Sequence, residues 1–298
     1  MAARMRQSEP SLRPYIATIA GIALFSAMDA AMKGASIATG AYSAYLLRCL
    51  IGLAMIAPFW WFSARKWPSR ATMKIHLLRG TVVAFMGWTF FFSLVRLPLA
   101  EAIALSFISP LIALYLAAIL LKEQVERQAI IAALLGLAGV VVIIGGKIGR
   151  ERMTDDAVIG LAAMMLSALL YAWNLVLQRQ QALVARPSEV STFQNGVVAL
   201  VLLAGAPFLL KLPEPEVWLH ITAGAVLAVG AALCLAWAYA RAEAQALVPI
   251  EYTGFVWAAL FGWIIFDEDV TSTTVMGAML IVIGCWIATR RRPEQSAL

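Results

Sequence analysis

Ten apolar stretches, each about as long as a membrane-spanning helix, follow one another along the chain. The hydrocarbon layer of a bilayer is about 30 Å thick and a helix rises about 1.5 Å per residue, so about 20 residues make one span. In lipid such a stretch must be helical, because a helix pairs its own backbone polar groups. The stretches cover approximately residues 15–32, 41–62, 72–94, 98–121, 128–146, 157–178, 189–210, 217–240, 244–266 and 272–289. The sequence therefore predicts an all-α polytopic membrane protein with ten transmembrane helices.

The composition excludes the other broad classes of protein. Hydrophobic residues make up 62% of the chain and charged residues 13%, which is too little charge to cover the surface of a soluble domain. The net charge of +6 does not indicate a nucleic-acid partner, because the basic residues lie at span ends and in short loops. The three cysteines stand singly inside apolar stretches, which indicates neither a disulfide framework nor a metal site.

An internal repeat organises the chain. Residues 96–125 align without a gap with residues 241–270, at an offset of 145 residues (241 minus 96), so that Glu123 is paired with Glu268. Each half contains five spans, which is an odd number. The second half therefore starts from the opposite side of the membrane, and the two repeats are predicted to be inverted.

The two five-helix repeats are predicted to cover residues 1–149 and 150–298. Lysine and arginine are more frequent on the side of the N-terminus than on the opposite side, and cytoplasmic loops retain basic residues. The chain is therefore predicted to lie in the inner (plasma) membrane with both termini in the cytoplasm.

Helices three and four carry the motifs of a known family. An Arg-Gly pair at Arg79 and Gly80 opens helix three, a Leu-Pro-Leu-Ala-Glu-Ala run at residues 97–102 opens helix four, and Glu123 closes it. In the second half the matching residues are Glu251, Tyr252 and Glu268. This pattern resembles the ten-helix EamA-type branch of the drug/metabolite transporter superfamily.

The resemblance implies a transporter of small solutes. Similar proteins move amino acids, amines, nucleotide-like metabolites, vitamins or drugs, and bacterial members are often amino-acid exporters. The chain departs from the family pattern at Asp267, where a glycine usually precedes the terminal glutamate.

Glu251 is the strongest candidate for a transport residue. It lies about seven residues into helix nine, roughly 10 Å from the start of that helix. A charged carboxylate at this depth is costly unless it faces water or a partner, and intramembrane acids are usually functional. Glu251 is therefore predicted to accept a proton or to bind a substrate ammonium group. The alternative is a carboxyl group that hydrogen-bonds to a neighbouring helix.

Polar residues form a stripe on helix six. Tyr171, Asn174 and Gln178 are three and four residues apart and so share one face, and the repeat aligns Asn174 with Asp29 of helix one. A polar stripe must face away from lipid, so it either lines a wet cavity or joins helices through hydrogen bonds. The cavity is favoured for Asn174. For Asp29 an ion pair with Lys33, four residues later, is favoured.

The remaining candidates are one acid and five aromatic residues. Glu101 lies in the first turn of helix four, where the helix dipole alone favours an acid. Aromatic rings in mid-helix can shape a pocket for an apolar group or stack on a cation, although any single ring more often packs. These rings belong to Trp88, Phe107, Trp173, Trp237 and Tyr252.

Four arginines are predicted to be structural. Arg48 and Arg79 lie near helix starts, from which a long side chain can reach the membrane interface. Arg96 and Arg241 are predicted to anchor helix ends.

Prolines and glycines distinguish mobile helices from scaffold helices. Pro110 in helix four, with Pro249 and Gly254 in helix nine, is predicted to form a set of hinges. Helices five and ten carry almost no polar side chain but contain glycines for close contact, which predicts a scaffold or the face of a homodimer.

These patterns together predict a secondary transporter that exports small metabolites, above all amino acids or related amines, by alternating access. Transport is expected to be proton-coupled or facilitative, since no ATPase-type phosphate loop is present, and no cofactor is indicated. One alternative is import or export of a vitamin, a nucleotide-like metabolite or a drug. The alternative from another class is an integral membrane enzyme, against which the only histidines, His76 and His220, lie at span ends.

Overall fold

In the residues that it describes, the computed structural model of the chain has ten helices and one additional helical turn at Ala206–Leu209. It describes residues 12–63, 67–109, 111–113, 127–148, 154–182, 184–239, 241, 247 and 250–289. The helices are α1 (Arg13–Thr39), α2 (Ala41–Ser63), α3 (Arg70–Leu94), α4 (Leu99–Ser106), α5 (Arg127–Ile148), α6 (Asp155–Ala182), α7 (Pro187–Leu203), α8 (Pro215–Tyr239), α9 (Gly254–Phe266) and α10 (Ser272–Thr289). They follow the ten predicted spans in order, and the described residues contain no strand. The predicted all-α fold with ten helices is confirmed.

The helices have the length and surface expected in a bilayer. Over their described residues, α1, α2, α3, α6 and α8 are each long and apolar enough to cross a membrane, and α5, α9 and α10 contain shorter apolar segments. Large apolar side chains cover the outside of the bundle, among them Leu134, Leu137 and Val141 on α5. An exposed apolar surface of this extent is suited to lipid.

Equivalent helices of the two halves pack against each other, beginning with α2 and α7. Near the start of α2, the Tyr42 hydroxyl donates a hydrogen bond to the Leu202 carbonyl. Near the end of α2, the rings of Trp60 and Phe193 pack with their centroids 5.1 Å apart. The residue number falls in α7 as it rises in α2, so the two helices are antiparallel.

The equivalent helices α5 and α10 are also antiparallel. A β-carbon built at Gly139 would lie 2.5 Å from the Gly277 carbonyl oxygen, and a β-carbon built at Gly146 would lie 2.1 Å from the Thr273 hydroxyl oxygen. These glycines let the two backbones approach closely. The close contact that suggested a homodimer face is therefore made between two helices of the same chain.

The third equivalent pair is formed by spans four and nine, of which α4 is the first part and α9 the last part, and it has the same arrangement. The backbone N–H of Leu99 at the start of α4 donates to the carboxylate of Glu268, which follows α9. Phe107, which follows α4, packs on Tyr252, which precedes α9. Three antiparallel pairs of equivalent helices imply a two-fold axis perpendicular to the helices, in the plane of the membrane. The two five-helix repeats are inverted, as predicted.

The remaining packing follows the same two-fold axis. α1 packs most extensively on α8, and its equivalent α6 packs on α3, the equivalent of α8. Further contacts join α1 to α9, α9 to α4 and α4 to α6. These four helices therefore connect the two halves, and they carry most of the polar candidates from the sequence.

Two arginines at helix ends show that the repeat extends to side-chain conformation. Arg96 donates to the Phe92 carbonyl at 3.1 Å, and its guanidinium lies 3.7 Å from the centroid of the same Phe92 ring. The equivalent Arg241 donates to the Trp237 carbonyl at 3.1 Å and lies 4.3 Å from the centroid of that ring. The prediction that both arginines anchor helix ends is confirmed.

α9 ends in a residue with left-handed backbone conformation. Asp267 has a φ of 53°, and no other non-glycine residue in the described part of the chain has a positive φ. The Glu268 N–H then donates to the Gly262 carbonyl at 3.1 Å, which closes the helix. Glycine adopts this conformation without a steric penalty, which agrees with the glycine that the family resemblance implies at this position.

Candidate functional site

Two helix interruptions meet between the halves of the molecule. The chain forms a turn at Phe107 and Ile108 after α4, and another at Tyr252 and Thr253 before α9. The two turns are 145 residues apart (252 minus 107) and so occupy equivalent positions in the repeats. The rings of Phe107 and Tyr252 pack edge to face with centroids 5.2 Å apart. The two-fold axis therefore passes between two interrupted helices, which is where transporters built from inverted repeats hold their substrates.

The backbone around the second turn departs from regular α-helical hydrogen bonding. The N–H groups of Thr253, Phe255 and Val256 each donate to the carbonyl three residues earlier, at 2.9, 3.2 and 2.9 Å. The carbonyl of Gly254, a predicted hinge, also accepts a 3.4 Å hydrogen bond from the Ser26 hydroxyl of α1. The other two predicted hinges, Pro110 and Pro249, lie outside the described residues.

Four polar side chains, on α1, α2, α6 and at Glu251 just before the second turn, interact with one another through their charges. The charges of Glu251 and Asp29 act on the Tyr171 hydroxyl, and the charge of Arg48 acts on Asp29. Asp29, Arg48, Tyr171 and Glu251 are each partly buried. We call Asp29, Arg48, Tyr171 and Glu251 the central site.

Arg48 lies inside the bundle and not at the interface, which corrects its predicted position. Its guanidinium carbon is 5.2 Å from the centroid of the Tyr45 ring and 6.0 Å from that of Phe91. Its Nη2 lies 3.6 Å from the Cys49 sulfur. The sequence did not reveal this position because α2 is apolar on every side, so no pattern shows which way Arg48 points.

Arg79 was also predicted to reach the interface, and it is instead buried between α3 and α6. Its Nε donates to the Asn174 side-chain oxygen at 2.9 Å, and its Nη2 donates to the Gln178 side-chain oxygen at 3.3 Å. Its Nη1 donates to the side-chain oxygen of Gln181. The polar stripe of α6 therefore supplies three acceptors to one guanidinium and fixes α3 against α6.

The network continues from Gln181 towards the end of the bundle at which α1 begins, here called the near end. The Gln181 amide nitrogen and His76 Nδ1 are hydrogen-bonded, and His76 Nε2 is 3.0 Å from the Glu189 carboxylate. The His76 ring also stacks on Phe193, with centroids 4.7 Å apart. His76 therefore links α3, α6 and α7. The sequence signal for this link is the three-residue spacing that places His76 on the same face of α3 as Arg79.

An ion pair joins three helices at the opposite end of the bundle, here called the far end. The Lys33 ammonium of α1 pairs with the Glu268 carboxylate and donates to the Leu97 carbonyl at 2.7 Å. Glu268 also accepts from the Leu99 N–H at 2.7 Å. The side chains of Lys33 and Glu268 are 5% and 18% exposed, so most of this contact is protected from solvent. We call Lys33, Glu268 and the backbone of Leu97 and Leu99 the far-end clamp.

The clamp corrects the expectation for Lys33. Lys33 makes an ion pair across helices with Glu268, whereas the sequence suggested Asp29 of the same helix. The charged neighbour of Asp29 is Arg48 instead. Asp29 therefore belongs to the central site and Lys33 to the far end.

The aromatic candidates separate into inward-facing and lipid-facing groups. Phe107 and Tyr252 lie at the central turns, as described above, whereas Trp173 and Trp237 are 42% and 39% exposed. Trp173 continues a stripe of exposed side chains on α6 at Leu166 and Leu169, and Trp237 continues a similar stripe on α8. Both rings therefore lie on exposed apolar faces of their helices and not at the central turns, and their place in a cavity stays a prediction.

The remaining two candidates lie elsewhere in the first half. Trp88 packs edge to face on Tyr42 with centroids 5.5 Å apart, and it lines an apolar groove of about 370 Å³ between α3 and α6. Leu166 of the lipid-facing stripe also lines this groove, so the groove opens towards lipid. Glu101 is buried, with 5% exposure, in the first turn of α4.

The chemistry of the central site suits binding more than bond making. It combines two carboxylates, one guanidinium and one phenol. Within the described residues no three histidine, cysteine, aspartate or glutamate side chains come together to hold a metal ion. A small solute with both positive and negative groups matches these side chains.

The sequence profile of the EamA-like transporter family matches the chain twice, over residues 12–145 and 158–290. The chain belongs to the EamA-like transporter family. The EamA-like chain is thus a multi-pass membrane protein of a transporter family.

Curated relatives of this EamA-like protein carry several substrates. It is 27% identical to the pseudopaline exporter CntI of Pseudomonas aeruginosa, over 90% of this chain and 93% of the relative. It is 23% identical to a riboflavin transporter of Brucella anthropi, with coverage of 89% and 94%. It is also 23% identical to an S-adenosylmethionine uptake transporter of Rickettsia felis, with coverage of 86% and 85%. The named substrates differ, so membership of the family does not specify an amino acid.

A solved crystal structure shares the EamA-like fold. The two chains superimpose with a TM-score of 0.63 at 22% sequence identity, over 93% of this chain and 96% of the other.

Proposed function

We propose that the protein is a secondary transporter that exports small metabolites, above all amino acids or related amines, across the inner membrane by alternating access. The observation that carries this proposal is the convergence of Asp29, Arg48, Tyr171 and Glu251 around the turns that interrupt the helices. Charged groups within a bilayer are costly, and they are retained where a solute or an ion must be bound.

The side chains of the central site support a zwitterionic substrate. The carboxylates of Asp29 and Glu251 can bind an ammonium group, and the rings of Phe107 and Tyr252 provide an apolar surface for a side chain. An amino acid carries an ammonium group and a side chain that can be apolar, and in addition a carboxylate. A simple amine carries the ammonium and apolar groups but not the carboxylate.

The far-end clamp supports the direction of transport. It joins α1, α4 and α9, so it closes the far end in this conformation. The basic residues of the sequence are more frequent at the near end, which favours a cytoplasmic near end and cytoplasmic termini. A site closed towards the outside first receives its solute from the cytoplasm, which is the first step of export.

The inverted repeats support alternating access as the mechanism. Each repeat can adopt the conformation of the other, which would open the far end and close the near end around the same central site. The equivalent turns at Phe107 and Tyr252 are suited to act as the points about which the helices reorient.

A second substrate class, vitamins and nucleotide-like metabolites, is supported by two of the relatives. These are the riboflavin and S-adenosylmethionine transporters. The adjacent rings of Phe107 and Tyr252 would offer a heterocyclic ring a surface for stacking. Within this substrate class, the carboxylates of Asp29 and Glu251 would bind only a substrate that carries a positive charge.

Flux into liposomes that contain the purified full-length protein tests the proposal. The assay uses radiolabelled amino acids, amines, riboflavin and nucleotides, with protein-free liposomes as the control. We expect saturable flux of an amino acid or amine that requires no ATP. Flux only of riboflavin or nucleotides would favour the second substrate class. Chemical conversion without flux would favour a membrane enzyme.

Proton coupling is tested with Glu251→Gln in the same liposomes. If Glu251 carries the proton, a pH gradient drives transport by the wild type but not by the variant, because glutamine cannot ionise. Tyr171→Phe serves as the matched control, since it alters the same site without removing a carboxyl group. Normal gradient-driven transport by Glu251→Gln would leave facilitated diffusion as the mechanism.

A further inference from the structure

The guanidinium of Arg48 has fewer hydrogen-bond partners than its burial requires. Its Nε is buried and has no acceptor among the described residues. The hydrogen bond recorded for the group is the one from Nη2 to the Cys49 sulfur, at 3.6 Å, and sulfur is a weak acceptor. An arginine side chain has five N–H donors and keeps its charge in proteins. A buried guanidinium in this state is costly unless another group completes its hydrogen bonds.

The surroundings of Arg48 hold the guanidinium without supplying that group. The rings of Tyr45 and Phe91 attract the cation, with centroid distances of 5.2 and 6.0 Å. The Tyr45 hydroxyl also lies within reach of the guanidinium, but it does not supply the paired oxygens of a carboxylate. On the side of α8, Arg48 lies beside Gly224, which has no side chain to offer. The charge of Asp29 acts on Arg48, but no hydrogen bond joins the two side chains.

The contrast with Arg79 shows what is missing. Arg79 is also buried, and its Nε, Nη1 and Nη2 each donate to a side-chain oxygen of α6. Arg48 has the Cys49 sulfur and the Tyr45 hydroxyl beside it, and its Nε has no acceptor in the described part of the chain. The protein itself thus supplies hydrogen-bond acceptors to the guanidinium of Arg79. The guanidinium of Arg48, beside Asp29, keeps N–H donors without an acceptor among the described residues.

We propose that Arg48 binds a carboxylate group of the transported solute. This inference rests on the proposed function and specifies the substrate class as small amino-carboxylates. The planar fork of a guanidinium matches the two oxygens of a carboxylate. A phosphate monoester with two negative charges would face the carboxylates of Asp29 and Glu251, whereas an amino-carboxylate presents an ammonium group to them. The ammonium group is therefore directed at the acids and the carboxylate at Arg48.

The test compares three probes that differ only at the carboxylate. Leucine, leucine amide and 3-methylbutylamine share the same ammonium group and apolar side chain. Each is tested as a competitor of the flux of a radiolabelled amino acid mixture into liposomes that contain the full-length protein, with inorganic phosphate as a fourth probe. For the wild type we expect leucine to compete at concentrations roughly tenfold to a hundredfold lower than the two other amines, because it adds a charge-assisted hydrogen bond.

Variants at position 48 test whether Arg48 causes the preference for leucine over the amines that lack a carboxylate. In Arg48→Met the ratio between the inhibitory concentrations of leucine and of 3-methylbutylamine should fall to about one, and in Arg48→Lys it should fall partly. Arg96→Met, which changes an arginine at a helix end, should keep the wild-type ratio. If Arg48→Met does not fold, Arg48→Lys and the wild-type comparison still decide the matter.

Two outcomes would overturn the assignment while leaving transport intact. One is a wild type that is inhibited equally by the three amines, or more strongly by inorganic phosphate. The other is a preference for leucine that persists in both Arg48 variants. The absence of any flux above protein-free liposomes would contradict the proposed function itself, and with it the assignment of Arg48.

Discussion

Breaking the far-end clamp should open the far end of the bundle. Glu268→Gln keeps the size of the side chain but removes the charge that pairs with Lys33 and weakens the bond from the Leu99 N–H. A hydrogen bond to a charged group contributes roughly 1.5–3 kcal/mol. This contribution is expected only when the far end is closed. In Glu268→Gln the ratio of molecules with an open far end to molecules with a closed far end should therefore rise roughly tenfold to a hundredfold.

A native cysteine can report this opening. Cys49 is 1% exposed and lies eight residues after the start of α2 at Ala41, about 12 Å from the far end at the rise of a helix. With Cys234 and Cys285 replaced by serine, a membrane-impermeant thiol reagent is applied to the far side of the membrane. The labelling rate of Cys49 should follow the open population and rise at least tenfold in Glu268→Gln.

Asp267→Asn is the matched control for this experiment. It removes a neighbouring exposed acid at the same end, and asparagine tolerates the left-handed backbone conformation of this position. Its labelling rate should stay within about twofold of the wild type. An unchanged rate in Glu268→Gln, or an equal rise in both variants, would refute the idea that the clamp holds the far end closed.

Three further predictions concern stability, measured as the free energy of unfolding in mixed micelles. Arg79→Met should lose about 2 kcal/mol, because three interhelical hydrogen bonds at about 0.6 kcal/mol each are removed, whereas Arg241→Met, at an exposed helix end, should lose much less. Gly139→Ala should lose about 1–3 kcal/mol, because its β-carbon would meet the Gly277 carbonyl, whereas Gly145→Ala, with no atom within 4 Å, should lose nothing. Asp267→Gly should gain up to about 1 kcal/mol by relieving the left-handed conformation, and Asp269→Gly should not. Equal effects in a variant and its control would contradict the stated cause.

The fold was predictable because the bilayer sets the length of a helix. Stretches of about 20 apolar residues determined the number and order of helices, and an odd number of spans in each repeat determined the inversion. The gap-free offset of 145 residues also relates features that the sequence did not suggest, such as the turns at Phe107 and Tyr252. The left-handed Asp267 coincides with the position at which the sequence departs from its family.

The arrangement of side chains was less predictable, because helices in a membrane are apolar on every face. The rotation of α2 that buries Arg48 leaves no pattern in the sequence, and the rotation of α3 that buries Arg79 is indicated only by the three-residue spacing between His76 and Arg79. Trp173 and Trp237 could not be assigned to lipid or cavity for the same reason. The ion pair between Lys33 and Glu268 joins residues 235 positions apart, whereas the spacing rule for a single helix suggested Asp29.

The interrupted helices at the two-fold axis provide a direct test of alternating access. A single cysteine is placed at the central turn by Phe107→Cys, with the three native cysteines replaced by serine, and impermeant thiol reagents are applied to each side of the membrane in turn. The mechanism predicts labelling of this cysteine from both sides, and protection from both sides by a saturating transported solute. A cysteine that is labelled from one side only, or from neither side, would contradict a central site reached alternately from the two faces.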